Sequence, residues 1–245
     1  MEVCIADSRP ELGELAARDI SAALRRTLRQ KANVRMIFAA APSQSEMLAA
    51  LALEPGIDWQ RVTAFHMDEY IDLPVNAPQG FGTWLRAAFF DHVPAGGVNL
   101  IDPGTDPKAA CRAYASMLAE APIDVVLLGI GTNGHLAFND PPADLDDPLA
   151  VKVVELDQMC REQQVLDGCF ARLDDVPKTA ITLTLPTLLG GHELFCCVPG
   201  RHKSAAVKLM MESPISGACP ATALRTHPRC TVYLDRESAS LIKTS

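Results

Sequence analysis

The chain has no Cys-x-x-Cys pair, no apolar run approaching 18 residues, no basic cluster and few aromatics, and each shortage closes off a class of protein. Without paired cysteine spacing there is no sign of a zinc ribbon or a dithiol redox centre. The eight cysteines (Cys4, Cys111, Cys160, Cys169, Cys196, Cys197, Cys219 and Cys230) are read as small buried hydrophobes in a reducing compartment. Cys196 and Cys197 sit together in an apolar, strand-like run, where neighbouring side chains point to opposite faces. The absence of a long apolar run excludes a membrane-spanning helix. The start, Met1-Glu2-Val3-Cys4-Ile5-Ala6-Asp7, lacks the charged head and apolar core of a secretion signal, so a cytoplasmic protein is expected. Net charge is −8, from 22 Lys+Arg against 30 Asp+Glu, which argues against nucleic acid or an anionic membrane as partner. A site for an anionic substrate must therefore be built locally.

What is present is an alternation of short β-type and longer helical segments. Apolar strand-like runs fall at 3–6, 34–40, 62–65, 98–101, 124–130, 151–155, 180–185, 193–198 and 231–234. Helical spacing marks 10–28, a segment ending at Leu53, and 81–90, 107–119, 158–166 and 202–211, with a further helix expected at the C-terminus. Ser8, ahead of Pro10 and Glu11, reads as the start of the first helix. Alternation of this kind predicts an α/β fold: one domain over 1–245, a Rossmann-like three-layer sandwich with a mainly parallel central sheet. There is no internal repeat or linker, and the proline-rich stretch 141–148 reads as a loop rather than a boundary.

Two segments carry candidate chemistry. The apolar run that ends in Gly129-Ile130-Gly131-Thr132-Asn133-Gly134-His135 presents a histidine at the carboxyl edge of a sheet, where open α/β folds place ligands. Asn133, Asn139 and Asp140 lie close to it in sequence, a density of polar groups that is unfavourable unless they are engaged. A partner on one ring nitrogen would fix the tautomer and leave the other as acid or base, although a histidine after a glycine turn also serves as a plain structural residue. The second segment, Phe65-His66-Met67-Asp68-Glu69-Tyr70, follows a strand and brings Asp68 and Glu69 to the same edge. Adjacent carboxylates in extended chain usually face opposite ways, and a buried one near the histidine would be a candidate base.

These segments resemble the glucosamine-6-phosphate deaminase family, whose relatives include the 6-phosphogluconolactonases. The match runs through Met67-Asp68-Glu69-Tyr70 with Leu73-Pro74, and through Gly129 to Pro141, and extends over nearly the whole chain, including Phe90-Asp91-His92-Val93 and Thr226-His227-Pro228. The lactonase continuation of the histidine loop, of Ser-Leu-Phe-Pro type, is absent. The resemblance implies an aldose–ketose isomerisation coupled to loss of ammonia, with no metal and no organic cofactor. His135 would open the sugar ring, Asp68 would carry a proton between C2 and C1, Asn133 and Asp140 would support them, and Glu69 would be either a helper or a structural carboxylate. Phosphate would be held at the turn after 34–40, with Ser43, Gln44 and Ser45, by Gly134 of the histidine loop, and by Lys203. The partner is then a phosphorylated amino sugar. Homo-oligomer formation stays open, since the family spans monomers to hexamers.

The sequence departs from the family pattern at four places. Asn133 stands where the pattern has Asp, and Asp140 where it has Glu. Ala41-Pro42-Ser43-Gln44 replaces Gly-Gly-Thr-Pro, and Pro42 has no N–H to offer a phosphate. A family arginine is missing near Gln164, with Arg161 or Arg172 as the candidates to replace it. The chain ends at Ser245 without the C-terminal elements of regulated members, so that form of allostery is not expected. Three other readings stay open: a related sugar-phosphate isomerase with a different substrate, a 6-phosphogluconolactonase, and a non-catalytic sugar-phosphate sensor.

Overall fold

Nine short apolar runs in the sequence become ten strands in two sheets, and the two sheets together make the site. The computed structural model describes residues 1–74 and 76–243. The larger sheet has seven strands, all paired in parallel: β1 (Glu2–Ala6), β2 (Val34–Phe38), β3 (Val62–His66), a short β5 (Gly97–Asn99), β6 (Val125–Leu128), β9 (Glu193–Val198) and β10 (Cys230–Asp235). Their order is β1-β10-β9-β6-β2-β3-β5. β2 and β6 lie mid-sheet, and every residue of β6 is buried, which explains why these runs are apolar without alternation.

Helices cover both faces. On one side α1 (Arg9–Gln30) and α2 (Ser45–Leu53) pack with Met36, Phe38 and Phe89 into one core. On the other, α4 (Pro107–Ala119), a short α6 (Leu185–Leu189) and α7 (Ser204–Glu212) pack with Ile37, Val126 and Leu128 into a second. Successive residues of β2 thus feed opposite cores, as strand geometry requires. Ser8 caps α1, its hydroxyl accepting from Glu11 N–H at 3.3 Å, as its place in the sequence suggests.

Three features differ from the sequence expectation. The polar segment after β3 is a strand, β4 (Asp68–Tyr70), and 151–155 and 180–185 do not join the parallel sheet. They form β7 (Val151–Glu155) and β8 (Thr179–Leu183), which with β4 make a small antiparallel sheet in the order β4-β8-β7. A three-residue strand has no periodicity to read. The expected C-terminal helix is absent among the described residues: after β10 the chain runs in turns, closed by Ser238 N–H donating to Asp235 Oδ1 at 2.7 Å and Asp235 N–H to Ser238 Oγ at 3.1 Å. Such local side-chain bonds compete with helix formation. The rest of that expectation, Thr244 and Ser245, lies outside the described residues. Among the described residues no helix is long and apolar enough to cross a membrane.

Candidate active site

The chain leaves the parallel sheet at Met67, and this departure places Asp68. Met67 N–H still donates to Phe38 O of β2 at 3.3 Å, while Met67 O already accepts from Leu183 N–H of β8 at 2.8 Å. Asp68 is the next residue, the first of β4, in register with Thr182. Thr182 Oγ1 in turn accepts from Phe138 N–H of the histidine loop at 3.1 Å, and Asn139 Nδ2 donates to Leu183 O at 2.8 Å. The small sheet therefore ties the Asp68 segment to the His135 loop, although 66 residues of sequence separate the two segments.

Glycines let the loop turn tightly around the imidazole. A Cβ on Gly131 would lie 2.2 Å from the His135 ring, and Gly134, at φ +86°, has Cys219 Sγ 2.6 Å from where its Cβ would be. Asn133 Oδ1 accepts from His135 N–H at 3.1 Å, and Asn133 Nδ2 donates to Asp140 Oδ1 at 3.1 Å. That same carboxylate oxygen lies 3.0 Å from His135 Nδ1, close enough for strong charge attraction but off the line of a good hydrogen bond. Burial pushes the Asp140 carboxyl up, yet His135, the Asn133 amide and Asp157 N–H outweigh it and hold the group below the usual carboxylate range.

Asp68 behaves in the opposite way. It is buried, has no hydrogen-bond partner among the described residues, and is pushed well above the ordinary Asp value by desolvation and by the neighbouring Glu69 carboxylate. It lines a cleft of about 480 Å³, counting the open mouth, a size suited to a small ligand. His135, Ser43, Gln44 and Lys203 line the same cleft, with Met67, Gly131, Phe81, Phe138, Gln163 and Gln164 among the other walls. Phe81 and Phe138 stack with centroids 5.6 Å apart, so part of the small aromatic complement is gathered here.

Of the remaining residues picked out in the sequence, Asn133 and Asp140 stand behind the imidazole and Gly134 shapes the loop, none of them on the cleft wall. Ser45 opens α2 and does not face the cleft. For Glu69 the geometry favours the structural of its two readings. Its Oε1 accepts from Tyr70 N–H at 2.9 Å and Phe81 N–H at 3.0 Å, and its Oε2 from Gly82 N–H at 2.8 Å. These bonds cap α3 (Phe81–Leu85), whose own preceding residue is a glycine with no side chain to do so. Burial raises the Glu69 carboxyl, but contact with His66 and the Gly82 and Phe81 N–H groups bring it below its ordinary value. Period-two alternation turns it away from the cleft that Asp68 faces.

Lys203 is the sole Lys or Arg on the cleft wall among the described residues. It ends the turn Arg201–Lys203 ahead of α7, and burial lowers its ammonium to about 8 against the opposing pull of Asp167 and Cys160. Neither arginine considered as a substitute reaches the cleft: Arg161 is spent on Leu173 O at 2.7 Å and Val176 O at 3.1 Å, and Arg172 is an exposed partner of Asp175. Gln164 lines the wall instead. Gln163 is anchored, its Oε1 accepting from Thr132 N–H at 2.8 Å. Sequence reading missed both glutamines and Phe81, because their reach into the cleft depends on how α5 (Gln158–Leu166) and α3 pack.

Comparison with known proteins agrees with this geometry. Residues 7–233 match the family model described as glucosamine-6-phosphate isomerases/6-phosphogluconolactonase. A glucosamine-6-phosphate deaminase of Pseudarthrobacter chlorophenolicus is 33% identical over 99% of this chain and 93% of its own length. One from Bacillus thuringiensis (strain Al Hakam) is 33% identical over 76% of this chain and 70% of its own length. The structure of a monomeric glucosamine-6-phosphate deaminase superposes with a TM-score of 0.91 at 28% identity, covering 99% of this chain and 100% of that one. A 6-phosphogluconolactonase from Thermotoga maritima shares the fold, with a TM-score of 0.78 at 18% identity over 96% of this chain and 98% of its own. The chain belongs to the glucosamine-6-phosphate isomerase/6-phosphogluconolactonase family.

Proposed function

We propose that the protein is an amino-sugar phosphate deaminase/isomerase that converts glucosamine 6-phosphate, or a close relative, to fructose 6-phosphate and ammonia. The observation that carries this reading is one cleft lined by both a desolvated, unpartnered carboxyl, Asp68, and an imidazole backed by a carboxylate, His135 with Asp140. A desolvated carboxyl and an imidazole on the walls of one cleft suit consecutive proton transfers. The relatives named as glucosamine-6-phosphate deaminases support the same reading.

His135 moves the proton between the C1 hydroxyl and the ring oxygen, opening the pyranose to the aldehyde. Asp68 then takes the proton from C2 while the 2-ammonium group of the substrate gives one to O1, leaving a C1–C2 enolamine, and Asp68 returns its proton to C1, which makes the C2 iminium. Water adds to that iminium, ammonia leaves, and fructose 6-phosphate remains. Each step is proton transfer by a positioned group. Asp140 and Asn133 keep the imidazole oriented, and Asp140 balances the imidazolium. Lys203, Ser43 and Gln44 hold the phosphate, with Lys203 supplying the charge. All eight cysteines are free, which fits the cytoplasm as the working compartment.

Gln164 and Pro42 support a second reading of the substrate, a hexosamine phosphate other than the glucosamine one, because the anion subsite carries a single cation and lacks one backbone donor. Ammonia release from glucosamine 6-phosphate tests the proposal. Release abolished by both Asp68→Asn and His135→Ala is expected. Folded protein that binds the sugar phosphate but releases no ammonia from it, or from other hexosamine phosphates, would overturn the deaminase reading.

A further inference from the structure

Behind the imidazole, His135 and Asp140 of the proposed reaction share a cluster with Cys160, a residue that neither that reaction nor the cysteine spacing accounts for. His135 Nδ1, an Asp140 carboxylate oxygen and Cys160 Sγ all lie within 4.8 Å of one another. His135 is more than nine-tenths buried, yet its Nδ1 has no hydrogen-bond partner of good geometry. Cys160 is wholly buried beside it.

We propose that His135, Asp140 and Cys160 form a binding site for a thiophilic divalent cation, with Zn²⁺ the best fit. One nitrogen, one oxygen and one sulfur donor match the ligand preferences of zinc. The Nδ1–Oδ1 separation of 3.0 Å is close to the edge of about 3.4 Å expected for two such ligands on a tetrahedral zinc. The sulfur needs to close to about 3.5 Å, a movement on the scale of a cysteine side-chain rotation. A carboxylate and a thiolate together neutralise the ion. Asp68 and Asp157 add negative charge near enough to act on the thiol and Lys203 opposes them, a balance that favours a cation. Three protein ligands leave one coordination position for water.

Binding itself does not depend on the proposed activity, but its consequence does. A metal on Nδ1 occupies that lone pair and leaves Nε2 carrying its proton, so no imidazolium forms and the proton relay stops. The site would then make the deaminase reversibly sensitive to zinc. The three ligands come from positions 135, 140 and 160, on a loop and on α5, which is why no metal-type spacing marks them in the sequence.

Titration of the reduced full-length protein with Co²⁺ tests the site without reference to catalysis. One equivalent of Co²⁺ should produce a thiolate-to-cobalt charge-transfer band that Zn²⁺ displaces and Cys160→Ala abolishes, with Cys160→Ser as the variant that preserves side-chain size. Half-inhibition of ammonia release by Zn²⁺ should need at least tenfold more metal in Cys160→Ala. Absence of the band in the folded wild-type protein, or its persistence in both variants, would overturn the proposal. A protein that gave the band but no ammonia would leave the metal site standing and remove the deaminase reading.

Discussion

Asp140 Oδ1 stands 3.0 Å from His135 Nδ1 and at the same time accepts from Asn133 Nδ2 at 3.1 Å, so one carboxylate oxygen serves both the imidazole and the residue that replaces the family aspartate. The carboxylate lies below its ordinary range and keeps its charge across neutral pH. Asp140→Asn removes the charge that balances an imidazolium while leaving the shape. We expect kcat to fall by about 10²–10⁴-fold, the range found when a carboxylate behind a catalytic histidine is neutralised, with KM little changed. Steady-state ammonia release measures it, and a fall below threefold would remove Asp140 from the relay.

Restoring the family residue should not restore anything here. Asn133→Asp replaces the amide that donates to Asp140 with a second carboxylate at the same distance, and two carboxylates so close cannot both ionise without cost. The pair then binds a proton in the folded state at a pKa above its unfolded value. That contribution to stability is present at low pH and lost as pH rises through the folded value. The Tm of Asn133→Asp, compared with wild type, should therefore drop as pH is raised from about 5 to 8. A difference in Tm that does not vary with pH would show that the loop separates the two carboxylates.

Asp68→Asn should abolish turnover and stabilise the protein together. The carboxyl is buried, unpaired among the described residues and raised well above the ordinary Asp range, chiefly by desolvation. A raised acid favours the folded state below its unfolded pKa, and the benefit disappears as pH rises through the folded pKa; above that, folding holds a buried charge. The amide relieves this burden at neutral pH without changing size. Expected are loss of ammonia release and a Tm increase of a few degrees that grows with pH, read by thermal denaturation at several pH values. A lowered Tm at pH 8 would mean the carboxylate has a partner in solution.

Much of this was legible before any coordinates, for identifiable reasons. β2 and β6 are central, buried strands, and apolar runs of that kind declare themselves; His135 and Asp68 are legible at the carboxyl edge because each follows an apolar run, β6 and β3, whose end can be located. The second sheet was not legible, because β4 is three residues long and its pairing with β8 joins positions 68–70 to 180–182. The sequence leaves Glu69 open between helper and structural carboxylate for the same reason: its partners, Phe81 and Gly82 N–H, belong to a helix that a glycine precedes, a long-range cap with no local signature. Gln164 marks only the place of a missing arginine in the sequence, because a glutamine on an amphipathic helix carries no sign of which cleft it will face.

The cap makes Glu69 a test of structural against catalytic roles. Glu69→Gln loses one acceptor and sets an NH₂ against backbone N–H groups that donated to a carboxylate, while Tyr70, Phe81 and Gly82 keep their places in the sequence. A buried loss of this kind costs about 1–3 kcal/mol. We expect a lowered Tm and an activity per folded molecule within about tenfold of wild type, since the carboxylate does not face the cleft. A thousandfold fall in kcat at unchanged Tm would return Glu69 to the chemistry.

Lys203 makes the pH dependence of substrate binding predictable in sign. Its ammonium titrates near 8 because burial disfavours the charged form, and it is the one cation on the cleft wall among the described residues. Below that value it offers a charge to the phosphate; above it, the free enzyme must take up a proton before binding. KM for the sugar phosphate should therefore be flat up to about pH 7.5 and climb beyond it, reaching roughly tenfold by pH 9, as one proton linked to binding requires. Lys203→Met should start from a KM raised by about 10–100-fold and lack the climb, the loss of one charge-assisted phosphate contact accounting for both. Parallel KM–pH profiles of the two proteins decide it. If the climb persists in Lys203→Met, another group titrates it and the phosphate sits elsewhere in the cleft.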